Sequence, residues 1–208
     1  MRAIIKYSRI GAARFISHLD MQRAFARALR RTELPVKYSE GFNPHILTSF
    51  ASPLSVGIAT MGDYLEVRME QAVAGEVIKE RLNAILPADL TIIYAGELPE
   101  NGPKLMAISH SARYEMIFPH DIEKTDSFME AKTFMAVDRK GRNLDIRPLV
   151  YELTAEGNMA AARIANSSAA TLNPIVLAAA LAPGQARITR LECYCMDGAV
   201  KPFFELGN

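Results

Sequence analysis

Four arginines lie close together near the start of the chain, within a segment whose pattern predicts a helix. Arg23, Arg27 and Arg30 are spaced i, i+4 and i+7, which puts them on one helix face, and Arg31 lies beside them. Guanidinium groups bind phosphate oxygens in bidentate fashion, and several in a row can follow a nucleic-acid backbone. The spacing therefore predicts a phosphate-binding surface. The simpler interpretation is a solvated face, with some arginines paired to acids of the second predicted helix.

The segment after this helix, Ser39–Pro53, is rich in residues that favour turns, among them Gly41, Asn43 and Pro44. Gly41 could let the backbone approach a phosphate, and Phe42 or Phe50 could stack on a base. A long connection between two strands would explain many of the same residues. The nucleic-acid-binding set that we predict beside the helix arginines consists of Arg14, Lys37, Gly41, Phe42, Asn43 and His45.

Two histidines in the same region suggest a catalytic alternative. His18 lies in the first helical turn, where the helix dipole disfavours a protonated imidazole, and His45 lies in the following loop. If the loop folds back over the helix, one histidine could act as base and the other as acid in metal-independent RNA cleavage. Alternatively, a histidine at a helix start simply bonds a neighbouring carbonyl.

The charge is unevenly distributed along the 208 residues. Residues 1–50 contain nine Lys and Arg against three Asp and Glu, a net +6, whereas the remainder sums to −5. This asymmetry favours contact between the basic end and an acidic partner. The sequence contains no Walker loop, nucleophile elbow or dinucleotide fingerprint.

Cysteine content argues against a metal site. Cys193 and Cys195 have no second cysteine pair and no clustered histidine, so zinc lacks four ligands, and an iron–sulfur cluster needs three or four thiolates. We predict no metal. The chain has only two cysteines and no apolar leader, and its longest apolar run, Ile175–Ala182, is too short to cross a bilayer. These features favour a cytoplasmic protein without membrane contact.

The order of the predicted elements indicates an α+β protein made of two similar halves. In residues 1–98, the predicted helix has Ser17 as its N-cap and is stopped by Pro35. Strands are predicted at Arg2–Tyr7, Val36–Ser39, Tyr64–Met69 and Leu90–Ala95, with a second helix at Ala74–Leu86. This β-α-β-β-α-β order is ferredoxin-like, with an antiparallel sheet.

After a linker at Leu98–Lys104, the same order is predicted again in residues 105–208. The expected fold is therefore two tandem ferredoxin-like domains. Beside one of the predicted strands lies the polar group Asp145–Pro148, for which we favour a structural role over a partner contact. The elements predicted in this half are Ala112–Phe118, Asp126–Phe134, Leu149–Leu153, Ala160–Ile164, Asn173–Leu181 and Ile188–Met196.

The first half contains the blocks RFISHLDMQRAFARALRRTELPVKYSEGFNPH, SFASPLSVG and GDYLEV, and the second half contains DIRP and ITRLECY. These blocks are similar to those of a bacterial family of unknown function, the radical SAM-linked proteins. One expected Gly-Ser-x-Arg-Pro-like turn is replaced by NSSAATLNP at Asn166–Pro174. The resemblance implies a radical SAM protein as partner, which would supply the iron–sulfur cluster and S-adenosylmethionine. It supplies no catalytic residues.

These observations lead to one expected function and two alternatives. We expect an accessory protein of a radical SAM enzyme that binds structured RNA, such as tRNA or rRNA, or presents a substrate through its basic face. The first alternative is an RNA-cleaving or RNA-modifying enzyme using His18 and His45. The second is a protein-interaction module without RNA binding.

Overall fold

In the computed structural model, residues 1–122, 125–138 and 140–207 are described. The fold is mixed α/β, with few helices and a mostly antiparallel sheet. Nine strands of the described residues form the main sheet, whose central order is β4-β1-β3-β10-β5-β9-β8, with β2 on β3 and β11 on β10. The first half contains β1 (Arg2–Arg9), α1 (His18–Arg31), β2 (Thr48–Phe50), β3 (Ala59–Arg68), α2 (Gly75–Asn83) and β4 (Leu90–Leu98).

Helix α1 begins and is buried largely as predicted. The Ser17 hydroxyl accepts a hydrogen bond from the backbone N–H of Asp20 (3.2 Å), which confirms the predicted N-cap. The helix ends at Arg31, and Glu33 has a positive φ of 56°, so the chain turns before reaching Pro35. The spacing of the apolar residues also predicts Leu19 on the buried face, but Leu19 is 61% exposed. It lies two residues before Met21 and therefore about 200° around the helix.

The second strand of the first half differs from the prediction. Residues Val36 and Tyr38 make only isolated bridges, to Met69 and Ile46, so Val36–Ser39 is not a strand. Instead, β2 lies within the segment predicted to be a loop, and it pairs antiparallel with β3, Phe50 opposite Leu65. Its three residues are too few to produce a recognisable alternation in the sequence.

The second half begins with a short helix, α3 (Leu105–Ile108), and most of its predicted elements are present. The predicted Asp126–Phe134 helix is shorter in the structure, where α4 ends at Glu130, and a small hairpin that was not predicted begins at Met135. The elements are β5 (Ser109–Ile117), α4 (Thr125–Glu130), the hairpin strands β6 (Met135–Val137) and β7 (Asn143–Asp145), β8 (Val150–Glu156), β9 (Met159–Ala165), α5 (Pro174–Leu181), β10 (Arg187–Asp197) and β11 (Ala199–Pro202).

The polar group Asp145–Pro148 has the structural role that we favoured, but not as an ion pair. Asp145 Oδ1 accepts hydrogen bonds from the backbone N–H groups of Phe134 (2.8 Å) and Arg147 (3.1 Å). The Arg147 guanidinium donates to the carbonyl oxygens of Met129 and Val150, both at 3.0 Å. These bonds tie the end of α4 to the start of β8.

The two halves share one sheet because β3 and β10 pair. This pairing is parallel and covers only two positions, Thr189 opposite Ala59 and Arg190 opposite Thr60. Ile4, Tyr64 and Leu98 of the first half belong to the same apolar cluster as most of the second half's core. The proposed division at residues 98–105 falls in a linker that Arg2 holds through the carbonyl oxygens of Pro99, Gly102 and Pro103.

Within the described residues, no helix is long and apolar enough to cross a membrane.

Candidate anion-binding surface

Helix α1 turns one face toward the sheet and the other toward solvent. Its buried residues are Met21, Phe25, Ala28 and Leu29, and the Phe25 ring contacts Tyr7 of β1 at a centroid distance of 5.0 Å. This anchoring leaves Arg23, Arg27, Arg30 and Arg31 exposed, as their spacing predicts. The helix is therefore held against the sheet by one face and exposes four arginines to solvent on the other.

Only one of these arginines makes an ion pair or a side-chain hydrogen bond among the described residues. The Arg23 guanidinium contacts Asp20 Oδ1 at 3.1 Å, and both side chains are largely exposed. No ion pair or hydrogen bond within the described chain involves the side chains of Arg27, Arg30 or Arg31. A hydrogen bond from Ser17, together with Arg23 and Arg27, lowers the pKa of Asp20, so this carboxylate stays charged.

The simpler interpretation had two parts. The exposure of these arginines agrees with a solvated face, but no pairing with acids of the second helix is found among the described residues. Where α2 approaches the end of α1, the contact comes from a cation of α2 and not from an acid. Arg81 donates from Nη1 to the carbonyl oxygens of Thr32 (3.1 Å) and Glu33 (3.3 Å). The exposed arginines of α1 are left uncompensated by that helix.

Part of the positive charge counted in residues 1–50 lies inside the fold, on side chains that are ion-paired or buried. Arg2 makes a bidentate pair with Glu66, and Lys6 pairs with Glu192 at 2.5 Å. Arg9 is buried and donates to the carbonyl oxygens of Ile16 and Ile58. The surface excess of this region is therefore six cations against three acids, a net +3 rather than +6. The basic surface is smaller than the sequence suggests, and it is concentrated on α1.

The segment from residue 36 to residue 47 forms a projecting arm. Its two sides are joined by backbone hydrogen bonds from Ser39 to His45 (2.8 Å) and from Leu47 to Lys37 (2.9 Å). At the tip, Gly41 has a φ of 113°, a value that favours glycine, and Phe42 is fully exposed. Asn43 is exposed as well. The arm offers an aromatic ring to a partner.

Phe50 does not offer a second stacking surface. Its ring is buried and lies edge-on to Phe25 at 5.9 Å and to Tyr7 at 6.2 Å. The burial follows from its place in β2, on the sheet face that α1 covers. Of the two aromatic residues considered for base stacking, only Phe42 is accessible.

The two histidines have separate partners. The His18 ring lies edge-on to Phe50 at 5.2 Å, and its Nε2 is 3.2 Å from the Gln22 amide nitrogen. His45 Nδ1 is 2.8 Å from the Ser39 hydroxyl, which also accepts the His45 backbone N–H. No hydrogen bond joins the two imidazoles. Their catalytic use stays a prediction.

Arg14 and Lys37 lie in different cavities. Lys37 lines a cavity of about 510 Å³ together with Met1, Arg68 and Glu100. Arg14 lines a cleft of about 640 Å³ whose opposite wall comes from α5 and the start of β10, and includes Arg187. Arg187 was not predicted, because 173 residues separate it from Arg14 in the sequence and no local pattern marks it.

Among the described residues, no group of three His, Cys, Asp or Glu side chains could hold a metal ion. Cys193 and Cys195 are both buried and unbonded to each other. Burial raises the pKa of Cys193 to about 12 and that of Cys195 to about 11. Neither thiol is therefore poised to act as a thiolate.

The fold and this surface define a mixed α/β protein with an exposed basic helix. The chain belongs to the bacterial family described as "Uncharacterized protein conserved in bacteria (DUF2344)", whose model matches residues 2–174. No curated protein matches the sequence. The association with a radical SAM enzyme stays a prediction from the resemblance of the sequence blocks.

Proposed function

We propose that this protein is an accessory protein of a radical SAM enzyme that binds structured RNA, such as tRNA or rRNA. The exposed arginines of α1 hold phosphate groups, and Phe42 at the tip of the arm stacks on an unpaired base. The chain itself performs no chemistry in this proposal. The iron–sulfur cluster and S-adenosylmethionine belong to the radical SAM partner, and the cytoplasm is the compartment in which the protein meets both.

The observation that carries the proposal is the lack of ion pairs at Arg27, Arg30 and Arg31 within the described residues. Arginine side chains on a helix surface commonly pair with acids three or four residues away. Here α1 has a single acid, Asp20, and it contacts Arg23. Like charges so close together repel each other and destabilise the helix, so their presence is not explained by helix stability. Three guanidiniums without ion pairs on one helix suit the binding of a phosphate backbone.

We also propose that each half is a ferredoxin-like unit. The order β4-β1-β3 with β2 on β3 supports this for the first half, and β10-β5-β9-β8 supports it for the second. Both orders place the last strand beside the first, with antiparallel pairing within each half. The hairpin of β6 and β7 is then an insertion into the second unit.

The test compares two triple variants in a binding assay. Fluorescence anisotropy with tRNA and with a structured rRNA fragment is measured across a salt titration for the wild type, for R27A/R30A/R31A, and for the control K132A/K140A/R142A. The control removes three exposed cations from the second half. We expect the α1 variant to lose affinity and to lower the salt slope by about 0.7–0.9 per phosphate contact removed, whereas the control changes little. Equal affinity and slope in all three proteins would refute the RNA surface.

The remaining outcomes separate the two alternatives. If RNA does not bind at low salt but the radical SAM protein binds in a salt-sensitive manner, the basic helix is a protein-docking surface. If labelled RNA is cleaved in EDTA and cleavage disappears in His18→Ala, the protein is an enzyme.

A Phe42→Ala variant that keeps the salt slope but loses affinity for single-stranded loops would assign base stacking to the arm.

A further inference from the structure

A cleft lies where the two halves meet, on a part of the surface separate from the exposed arginines of α1. One wall comes from the 3-10 turn at Gly11–Phe15 and the residues preceding β3, and the other from α5 and the start of β10. The cleft encloses about 640 Å³, which is within the range of small-molecule binding sites. It is the larger of the two cavities that contain predicted site residues Arg14 and Lys37.

Two arginines line the cleft without any partner for their guanidinium hydrogens among the described residues. Arg14 comes from the first half and its Nε is buried with no hydrogen bond. Arg187, which is the first residue of β10, is exposed and makes no ion pair within the described residues. A buried donor left unpaired is unfavourable, so an acceptor group bound beside this guanidinium is favoured.

Arg14 differs from the other arginines with an unpaired buried Nε. Arg9 and Arg147 each donate from both terminal nitrogens to backbone carbonyl oxygens, so their guanidiniums are held by the protein. Within the part of the chain that the structure describes, no nitrogen of Arg14 has an acceptor. Its guanidinium lies over the ring of Phe15, 4.8 Å from the ring centroid, which keeps it beside the cleft.

The rest of the cleft is largely apolar. Ala178 and Ala179 of α5 form one wall, and their small side chains leave the space open. Opposite them, Phe15 and Val56 are 60% and 52% exposed, although both are large hydrophobic residues. Such exposure on the rim of a cleft indicates a surface that a ligand can cover.

We propose that this cleft binds a small organic anion, with an apolar or aromatic body against the alanine wall and a phosphate or carboxylate group between Arg14 and Arg187. The two charged groups come from opposite halves of the chain, so the bound anion bridges them. The forked guanidinium geometry suits both kinds of anion. The site is independent of the α1 arginines and of RNA binding.

The experiment measures binding of four probes to the full chain by ligand-detected NMR and calorimetry: phenyl phosphate, benzoate, inorganic phosphate and phenol. Phenyl phosphate and benzoate carry both features of the proposed ligand, and comparing them separates phosphate from carboxylate recognition. We expect at least one of them to bind with a Kd of about 1 mM or below. Inorganic phosphate and phenol, which have only one feature each, should bind at least about tenfold more weakly.

Three variants locate the binding. Arg14→Gln and Arg187→Gln should each weaken binding of the organic anion by about tenfold or more, because each removes a charged hydrogen-bond donor. Ala179→Leu keeps both charges but fills the cleft, and should weaken it as well. R27A/R30A/R31A should bind the probes like the wild type. Thermal melting confirms that each variant is folded.

Two results would overturn the inference. The first is the absence of binding by both organic anions at millimolar concentration. The second is binding that survives in the double variant R14Q/R187Q, or that is lost only in R27A/R30A/R31A, since the charge recognition would then lie elsewhere. A failure of RNA binding leaves these outcomes unaffected.

Discussion

At the scale of single residues, a buried arginine joins the two halves through polar contacts. Arg190 of β10 is 2% exposed and donates to Asp63 Oδ1 (2.9 Å) and to the Tyr114 hydroxyl (3.0 Å). Asp63 also accepts from Thr60. Burial lowers the pKa of Arg190, but Asp63, Tyr114 and Cys193 together more than offset this, so the pKa is raised and the guanidinium stays charged.

Asp63→Ala should lower the free energy of unfolding by about 3–5 kcal/mol, because it leaves the buried Arg190 without its counter-charge. The pair Glu152–Arg163, in which Glu152 is exposed and Arg163 half-buried, provides the control, with Glu152→Ala costing no more than about 1 kcal/mol. Urea unfolding of both variants measures the difference. Similar small losses in the two would mean that Arg190 is not held by the Asp63 charge.

The cysteines allow a second prediction at this scale. Because burial raises the pKa of Cys193 to about 12 and of Cys195 to about 11, almost no thiolate is present at pH 8. Ellman's reagent should therefore leave the native protein unmodified for hours at pH 8 and titrate both thiols in denaturant. Rapid reaction of the native protein would contradict the burial of either thiol.

At the scale of elements, the basic surface depends on how α1 is fixed. Its first turn combines two reciprocal contacts, in which the Ser17 hydroxyl donates to Asp20 Oδ2 at 2.7 Å and accepts from the Asp20 backbone N–H at 3.2 Å. The same carboxylate contacts Arg23. The N-terminal cap therefore also positions one arginine of the surface.

Ser17→Ala should lower the free energy of unfolding by about 1 kcal/mol, the usual cost of losing an N-cap. Ser17→Asn retains a capping oxygen and should cost much less. Chemical denaturation followed by circular dichroism measures both. Equal losses for the alanine and asparagine variants would show that the side-chain oxygen is not what stabilises the helix start.

The elements that the sequence predicts well are those with a strong local pattern. Helix α1 has a cap, an apolar stripe and a nearby proline, whereas β2 and the β6–β7 hairpin have strands of three residues, too short for a detectable period. The exposure of the α1 arginines follows from spacing alone. Periodicity does not reveal contacts between distant parts of the chain. Such contacts place Arg187 in the cleft with Arg14, and they pair or bury Arg2, Lys6 and Arg9 within the fold.

At the scale of the whole molecule, a close approach of two backbones joins the halves. A Cβ added at Gly62 of β3 would lie 2.5 Å from the Leu191 carbonyl oxygen and 2.8 Å from the Glu192 Cα, both backbone atoms of β10. Beside this point, Glu192 accepts from Tyr64 and pairs with Lys6. Glycine is required there because the strands leave no space for a side chain.

Gly62→Ala should therefore separate β3 from β10 locally and cost about 1–3 kcal/mol. Gly141→Ala is the control, because its added Cβ meets nothing within 4 Å and only its positive φ of 76° opposes the change. Amide hydrogen exchange at Thr189 and Arg190 should accelerate in the Gly62 variant alone. Unchanged exchange there would mean that the junction tolerates the extra atom.

The central position of β10 also has a consequence for how the protein forms during synthesis. The ribosome makes this strand after β1 to β9, yet it lies in the middle of the sheet, between β3 and β5. Until it emerges, the Arg190 guanidinium is not beside Asp63, and the start of β3 at Ala59 and Thr60 lacks the strand that pairs with it there. The family model ends at residue 174, before β10 begins at Arg187. A fragment cut at that family boundary would keep the residues that the family model matches but lose the strand that joins β3 to β5.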